Sequence, residues 1–323
     1  MIAFLKLIRL PNLLIIAFTQ YMIRFCLIQP ILKLSGFELQ MSEWEFALLA
    51  LATLLISAGG YIINDYFDVR IDNINKPEQL VIDKGVKRRV AMAAHVVFSF
   101  LGVAIGIFLS WKSHIILAGS TLFALSVIGL WFYSTSFKYQ FFVGNIVVSL
   151  LTAMAPFMVA LFEVPRIITT YNSELFAQQT KYGFAATTTI LLWTGAYGIF
   201  AFVLSLIREI IKDMEDAEGD NEYGCRTIPI VLGMKKAKLI AAFFILLAIA
   251  GCAYAQNFIY GQLHEMYSMI YFFVLIQLPL LFILFLTLKA KKKKNFHFAS
   301  VMIKAVMLAG ICFLFLLRYL LMK

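Results

Sequence analysis

Six aspartates in this sequence have a spacing that suits metal binding. They form two groups with the same spacing, i, i+3 and i+7, and the second group repeats the first at a constant offset. The groups are Asp65, Asp68 and Asp72, and then Asp213, Asp216 and Asp220. On an α-helix such positions fall within an arc of roughly 60°, so each group is predicted to form a strip of carboxylates on one helix face. The constant offset also predicts an internal repeat.

The two strips indicate a site for divalent cations and a phosphate-bearing substrate. Crowded carboxylates in a partly dehydrated site repel one another unless cations are bound. Mg²⁺ takes oxygen ligands and commonly bridges carboxylates and substrate phosphates, so it is the predicted cofactor. Basic side chains in the same loops can contact a phosphate directly, and they are Arg208, Lys212, Lys87, Arg88, Arg89 and Lys138. A lone acidic cluster often only faces water and pairs with nearby lysines, but two clusters of identical spacing favour a metal site.

The composition indicates a protein that lies in a membrane. Hydrophobic residues make up 62% of the chain and charged residues 14%, against about 25% charged in a typical soluble domain. A helix of about 20 apolar residues crosses a bilayer. Nine such segments are predicted, at residues 11–32, 46–63, 91–110, 114–133, 141–162, 187–207, 239–257, 267–288 and 298–321. Arg24 and Lys304 interrupt the first and the last, so each must reach the membrane surface or face a polar interior.

The predicted fold is therefore an all-α integral membrane protein, a bundle of about nine transmembrane helices. The repeated aspartates divide the bundle into two four-helix repeats plus one helix, around a central cavity. Each strip is expected at the end of a helix, the second and the sixth. One domain is expected to span residues 1–323.

The distribution of charge predicts the orientation. Of the 28 Lys and Arg, 20 lie at the N-terminus or in loops on one side, and 12 of the 18 Asp and Glu lie in two loops on that same side. By the positive-inside rule, the N-terminus and both acidic loops are cytoplasmic, in a bacterial or archaeal-type cell membrane. The KAKKKK run from Lys289 is explained first by this rule, and binding of anionic lipid is a secondary role. The net charge of +10 is then a feature of membrane topology, and no nucleic-acid partner is expected.

The acidic motifs resemble those of the UbiA family of intramembrane prenyltransferases. The stretch NDYFDVRID matches the family pattern NDxxDxxxD, and the family's DxxxD pattern recurs in the second motif. The matching residues are Asn64, Asp65, Asp68 and Asp72, and then Asp216 and Asp220, with Asp213 preceding them as in some members. Smaller agreements are RLPN at residues 9–12, and Gly144 and Asn145 shortly after the segment 133–138.

The resemblance implies a mechanism and a set of site residues. Family members hold two Mg²⁺ ions with these motifs, and the ions bind the diphosphate of a polyprenyl donor. Ionisation gives an allylic carbocation, which a lipophilic acceptor attacks at C1. All six aspartates would be catalytic residues and metal ligands, and Glu209 would support the second strip. The implied substrate-binding residues are Asn64, Lys138, Arg208, Lys212, Asn12 and Asn145. The expected partners are the prenyl diphosphate, the acceptor and membrane lipid.

The loops also suggest a branch of the family. The stretch KDMEDAEGDNEYGCRTIPIVLG resembles the branch that includes archaeal-type digeranylgeranylglyceryl phosphate synthases and chlorophyll synthases. The first loop begins like that branch, with DNINKP, and then departs over residues 78–85. The favoured acceptor is geranylgeranylglyceryl phosphate, an ether-lipid precursor, because an anionic acceptor suits the basic cluster of Lys84, Lys87, Arg88 and Arg89. The alternative acceptor is an aromatic precursor of menaquinone or ubiquinone.

Two other classes of protein carry paired acidic clusters. A divalent cation transporter also has repeated helices with carboxylates, but its acids usually lie near the bilayer midplane. Here the acids lie at predicted helix ends among Arg and Lys, which repel a cation. A scaffold with acidic loops for a basic partner is the second alternative.

Overall fold

The computed structural model describes residues 2–182 and 185–323, and over these residues the chain is almost wholly helical. One isolated β-bridge in this part of the chain joins Ile82 and Val86. The α-helices in chain order are α1 Ile2–Leu7, α2 Leu10–Met22, α3 Gln29–Leu34, α4 Glu43–Asn75, α5 Arg88–Lys112, α6 Ile116–Thr135, α7 Val143–Thr170, α8 Asn172–Tyr182, α9 Ala186–Glu222, α10 Ile228–Leu232, α11 Met234–Leu263, α12 Met266–Phe272, α13 Leu278–Lys289 and α14 Lys293–Met322. Two π-helical turns, Ile23–Ile28 and Phe273–Gln277, join α2 to α3 and α12 to α13.

Nine helical stretches in the described residues are long and apolar enough to cross a membrane. Each overlaps one of the nine predicted segments, so the prediction of an all-α, multi-pass membrane protein is confirmed. The helices extend beyond the predicted apolar segments that end at residues 63 and 207, as the helical strips require, since α4 continues to Asn75 and α9 to Glu222. Neither acidic motif contains a proline, and Pro77 follows only after α4 has ended, so nothing in the motifs stops the helix.

The described residues fall into two compact units. The first lies within Met1–Thr135 and Met154–Gly198, and the second within Ser136–Ala153 and Ile199–Lys323. Each carries one acidic motif, on α4 and on α9 respectively. The single domain, the two four-helix repeats and the central cavity stay predictions.

Glycines let the long helices of the first unit approach closely. A Cβ atom added to Gly102 on α5 would lie 2.6 Å from a side-chain atom of Ile56 on α4, and one added to Gly106 would overlap the ring of Phe123 on α6. Small residues at such crossings allow the backbone-to-backbone contact on which helix association in membranes depends. Helix α4 is therefore firmly supported along the part that precedes its acidic motif.

The charged residue inside the first span lies in a widened helical turn. Pro30, just after the π-helical turn, lacks an N–H, and its ring clashes with a preceding carbonyl, which favours widening of the turn before it. There the Gln29 N–H donates to the carbonyl of Arg24. Arg24 faces the interior of the first unit, with 1% of its side chain exposed. The prediction that it must either reach the surface or face a polar interior is resolved in favour of the interior.

A buried carboxylate neutralises Arg24. Its guanidinium donates to Glu163 on α7 at 3.1 Å and to the carbonyl of Met41 at 2.6 Å, and it lies 4.6 Å above the Phe46 ring. The Glu163 carboxylate also accepts from the backbone N–H groups of Gln40 and Met41. This network satisfies most of the hydrogen-bonding groups of both ions, which is the condition for burying such a pair.

The second unit buries polar side chains in the same paired way. The Gln277 amide donates to Gln256 at 2.8 Å, and the Gln256 amide donates to the Met269 carbonyl at 3.0 Å. Nearby, the rings of Phe272 and Phe313 pack edge to face with centroids 4.7 Å apart. Hydrogen bonding between helices satisfies polar groups that lipid would leave unsatisfied.

We predict that Glu163→Ala lowers the free energy of unfolding by about 3–5 kcal/mol, because Arg24 would remain buried without its buried counter-ion. Denaturant unfolding in detergent micelles measures this. Glu43 provides a matched control, since it pairs with the same guanidinium at 3.2 Å but has 69% of its side chain exposed. Glu43→Ala should cost less than about 1 kcal/mol. Equal stability of Glu163→Ala and the unmodified chain would contradict the assignment.

Candidate active site

The first carboxylate strip lies on the C-terminal turns of α4. At about 1.5 Å per residue a helix of this length extends for roughly 50 Å, whereas about 20 residues cross the hydrocarbon core. The last turns therefore extend past the apolar segment. All members of the motif are half-buried, and they are Asn64, Asp65, Asp68 and Asp72. The structure thus confirms that the first motif is helical, with its aspartates at strip spacing.

Arg9 contacts the first strip, and the sequence analysis did not place it in the site. Its guanidinium donates to Asp65 Oδ1 at 2.7 Å and lies 5.0 Å from the centre of the Tyr61 ring. Arg9 is the N-cap of α2 and has left-handed backbone angles, with φ of 51°. A residue with a Cβ adopts that conformation at a cost of roughly 1–2 kcal/mol, so the surrounding contacts must hold the α1–α2 corner in place. The RLPN stretch was the one signal in the sequence that pointed to this corner.

The segment 77–87 packs against α1 and α4. Ile82 and Val86 are buried in an apolar cluster with Leu7 and Ile62. A Cβ on Gly85 would lie only 2.7 Å from that of Ala3. Apolar members of residues 78–85, the stretch that departs from the loop pattern of the resembling branch, thus anchor the segment to α1.

The basic cluster of this segment has local partners. Lys84 Nζ donates to the Pro77 carbonyl at 2.8 Å, and Arg88 donates to Asp83 at 3.0 Å. Arg88 also lies 5.5 Å from the centre of the Tyr66 ring. These contacts stabilise the loop, and the expected role of the cluster toward an anionic acceptor stays a prediction.

The second strip lies on the C-terminal turns of α9. Asp213, Asp216 and Asp220 are half-buried, whereas Glu218, on the opposite face of the helix, is exposed. The buried Asn145, near the start of α7, donates from Nδ2 to Asp213 Oδ2 at 2.8 Å. The structure places Asn145 in direct contact with a predicted metal ligand, and its predicted role in substrate binding stays a prediction.

A close backbone approach positions Asn145. A Cβ on the adjacent Gly144 would lie 2.8 Å from the Cα of Lys138. The 3-10 turn that contains Lys138 is also hydrogen-bonded to the chain after α9. The Tyr139 carbonyl accepts from the Arg226 N–H at 2.9 Å. The turn that carries Lys138 therefore packs against the start of α7 and the chain that follows α9.

Glu209 organises the basic residues beside the second strip. It is buried, and its two carboxylate oxygens lie 2.5 Å from Arg208 and 3.8 Å from Lys212. Its expected support of the second strip stays a prediction. Arg208 Nε is buried, and no hydrogen-bond acceptor lies within reach of it among the described residues. Such a donor is suited to an anionic group.

The first strip offers the oxygen donors that Mg²⁺ requires. Asn64 Oδ1 is a buried acceptor for which the described part of the chain supplies no donor. It belongs to the same motif as Asp65 and Asp68, and carboxylate and amide oxygens suit a hard cation. Within residues 2–182 and 185–323, no group of three or more His, Cys, Asp or Glu is already gathered as a metal cluster. The donor chemistry fits the ion, and binding would require the side chains to converge.

Asn12 lies close to the Arg9 corner. Its backbone N–H donates to the Arg9 carbonyl at 2.8 Å. The structure therefore places Asn12 in the first unit, in the first turn of α2. The part of its side chain in substrate binding stays a prediction.

Comparison with known proteins identifies close relatives of the chain. It is 31% identical over 275 residues to the digeranylgeranylglyceryl phosphate synthase of Thermococcus gammatolerans, covering 84% of this chain and 86% of the relative. In fold it is similar to a solved UbiA homologue from Aeropyrum pernix, with a TM-score of 0.62 and 17% identity over 92% of this chain and 96% of the other. It is also similar to a UbiA homologue from Archaeoglobus fulgidus solved with GPP and Mg²⁺, with a TM-score of 0.52 and 17% identity over 96% and 98% of the two chains.

The family model provides the broadest match. The model of the UbiA prenyltransferase family matches residues 35–310, a range that contains both carboxylate strips and seven complete predicted spans. With the motifs on the expected helices and this match along most of its length, the chain belongs to the UbiA prenyltransferase family.

Proposed function

We propose that this protein transfers a polyprenyl group from a prenyl diphosphate to geranylgeranylglyceryl phosphate in a reaction that depends on Mg²⁺. The observation that carries the proposal is the pair of equally spaced carboxylate strips on the ends of α4 and α9. They occur in a chain similar along most of its length to a digeranylgeranylglyceryl phosphate synthase. The whole chain, residues 1–323, acts as one UbiA-type domain.

The six aspartates are proposed to bind two Mg²⁺ ions. The relative from Archaeoglobus fulgidus was solved with Mg²⁺, which supports this choice of metal. When bound, Mg²⁺ neutralises negative charge on the diphosphate as it leaves. Asn145 orients Asp213 through its 2.8 Å hydrogen bond, and Arg9 offsets the repulsion among the carboxylates of the first strip by its contact with Asp65.

Basic and polar side chains are proposed to bind the diphosphate. Arg208 has a buried Nε suited to an oxygen acceptor, and Lys212 lies one helical turn away on α9. Lys138, from the turn before α7, is the third cation, and Asn64 and Asn12 supply polar contacts. In the reaction the C1–O bond breaks and the electron pair leaves with the diphosphate. A hydroxyl oxygen of the acceptor then bonds to C1 and releases its proton.

Apolar side chains exclude water from the reacting carbon. Water would otherwise react with the allylic cation, so that the donor would be hydrolysed without transfer. The chain has 31 Phe among its 323 residues, which suits both this exclusion and the binding of a long prenyl tail. Both substrates would enter from surrounding membrane lipid.

The orientation is also part of the proposal. The excess of Lys and Arg on one side supports a cytoplasmic N-terminus and cytoplasmic acidic motifs. The transporter alternative is less well supported, since the aspartates lie on the terminal turns of α4 and α9, among basic residues, and not at the midplane.

A membrane assay with radiolabelled geranylgeranyl diphosphate and Mg²⁺ tests the proposed function. Geranylgeranylglyceryl phosphate and an aromatic quinone precursor are offered separately. We expect product with the first acceptor. Product only with the second would retain prenyl transfer and replace the acceptor. Uptake of divalent cations into proteoliposomes, with no transfer to either acceptor, would favour a transporter.

We predict that Asp65→Ala, Asp68→Ala and Asp216→Ala each lower the rate of transfer by at least about 100-fold, because each removes charge that stabilises the departing diphosphate. Initial rates with purified protein of verified monodispersity measure the loss. Glu218→Ala is the matched control, since Glu218 is an exposed acid in the second motif that faces away from the strip. A variant of any of the three aspartates with the rate of the unmodified protein would refute its place in the site.

We predict that Asn145→Ala raises the Mg²⁺ concentration for half-maximal activity by about 10-fold or more, as is typical when a residue that orients a metal ligand is lost. Titration of activity with Mg²⁺ measures this. Ser149→Ala is the control, because Ser149 is also buried on α7 but donates only to the Asn145 carbonyl of its own helix. Identical Mg²⁺ dependence for Asn145→Ala and Ser149→Ala would show that the contact with Asp213 has no part in metal binding.

A further inference from the structure

Seven exposed lysines of the second unit lie at three helix ends close to one another in the fold. Two are in the first turn of α11, one ends α13, and four lie between α13 and α14 or in the first turn of α14. We call this group the lysine surface, and its members are Lys235, Lys236, Lys289, Lys291, Lys292, Lys293 and Lys294. The proposed reaction assigns none of them a role.

An eighth lysine joins the lysines at the start of α11 to those between α13 and α14. Lys238, in the first two turns of α11, donates from Nζ to the carbonyls of Leu288, at 3.2 Å, and Ala290. These carbonyls belong to the end of α13, where backbone acceptors have no partner within the helix. The contact places the start of α11 against the chain leading to α14, so the KAKKKK run has a defined neighbour.

The lysine surface adjoins side chains suited to acyl chains. Leu239 and Phe243 on α11 are 63% and 62% exposed, and Phe285 on α13 is 54% exposed. These residues lie on candidate membrane spans. The ammonium group of Lys289 lies 4.2 Å from the centre of the Phe285 ring. Cationic groups next to an apolar helix face match the two parts of a phospholipid, its headgroup phosphate and its chains.

Acidic residues are rare in the part of the sequence that carries the lysine surface. From residue 223 to the C-terminus the sequence has a single acid, Glu265, which pairs with Lys323 at 2.7 Å. Glu265 follows the far end of α11, about 45 Å from Lys235 at 1.5 Å per residue. Glu215 on α9 is buried and lies 3.0 Å from His297 of α14. The stretch of sequence that carries the lysine surface is therefore strongly basic.

We propose that the lysine surface binds the headgroups of anionic phospholipids in the surrounding bilayer. Orientation by the positive-inside rule needs only an excess of Lys and Arg in a loop. That rule does not require Lys238 to join two basic segments, nor does it require an exposed apolar face beside them. Each Lys near an anionic membrane surface strengthens attraction by about fivefold, and the effect acts within about 10 Å at moderate salt.

Spin-label spectroscopy in nanodiscs tests this proposal without donor, acceptor or Mg²⁺, so its result is independent of the transfer reaction. The bilayer is phosphatidylcholine with a minority of phosphatidylglycerol, and the spin label is placed on one lipid or the other. The fraction of motionally restricted label gives the preference of the protein for each lipid. We expect a several-fold preference for phosphatidylglycerol that falls toward unity at about 1 M salt, where the screening length is about 3 Å.

The matched variants change Lys291, Lys292, Lys293 and Lys294 together, in one case to Gln and in the other to Arg. The Gln variant should bring the preference close to unity, because each lysine strengthens the attraction by about fivefold, and the Arg variant should keep the preference. Equal preference for the two lipids in the unmodified protein would overturn the proposal, and this result needs no variant to fold. A preference unchanged in the Gln variant would also overturn it. Loss of preference on adding inorganic phosphate, but not sodium chloride of equal ionic strength, would assign the surface to free phosphate instead.

Discussion

Lipid solvates charge so poorly that a membrane helix can carry ions only where they are paired or where the helix leaves the hydrocarbon. Both solutions occur in this chain. Arg24 and Glu163 form a buried pair inside the first unit, while the carboxylates of the acidic motifs lie on the last turns of α4 and α9. The chemistry proposed for the protein depends on the second solution. It requires concentrated negative charge beside an apolar environment, and helix ends beyond the apolar segment provide it.

Placing the motifs on long helices has a geometric benefit over placing them on loops. The spacing of the aspartates along α4 and α9 is fixed by the helix, so their relative positions do not depend on loop conformation. Contacts from other elements then orient individual members. Asn145 reaches Asp213 from the start of α7, and Arg9 reaches Asp65 from a corner with left-handed backbone angles.

Much of the fold followed from the sequence, since an apolar run of about 20 residues has few alternatives to a membrane helix. The carboxylate strips could also be predicted from the sequence, because their spacing matches the helical repeat. Hydropathy alone did not give the last residues of α4 and α9, since it marks where lipid ends and not where the helix ends. The contacts of Arg9 and Asn145 bridge 56 and 68 residues of sequence. No local pattern encodes such contacts, and the packing of segment 77–87 on α1 depends in the same way on tertiary structure.

The two π-helical turns affect how each of their spans faces its surroundings. A π-turn accommodates one residue more than an α-helical turn, and one residue corresponds to about 100° of rotation. In the stretch from Leu10 to Leu34, and again from Met266 to Lys289, the side chains after the turn are rotated in phase relative to those before it. One helix can thus show an apolar stripe to lipid in one leaflet and a different stripe in the other. Deleting a single residue from either turn would restore α-helical geometry and leave the later side chains on their present faces, because the widened turn absorbs that residue. These short segments therefore help to set which side chains of each span face lipid, although they contain none of the proposed catalytic residues.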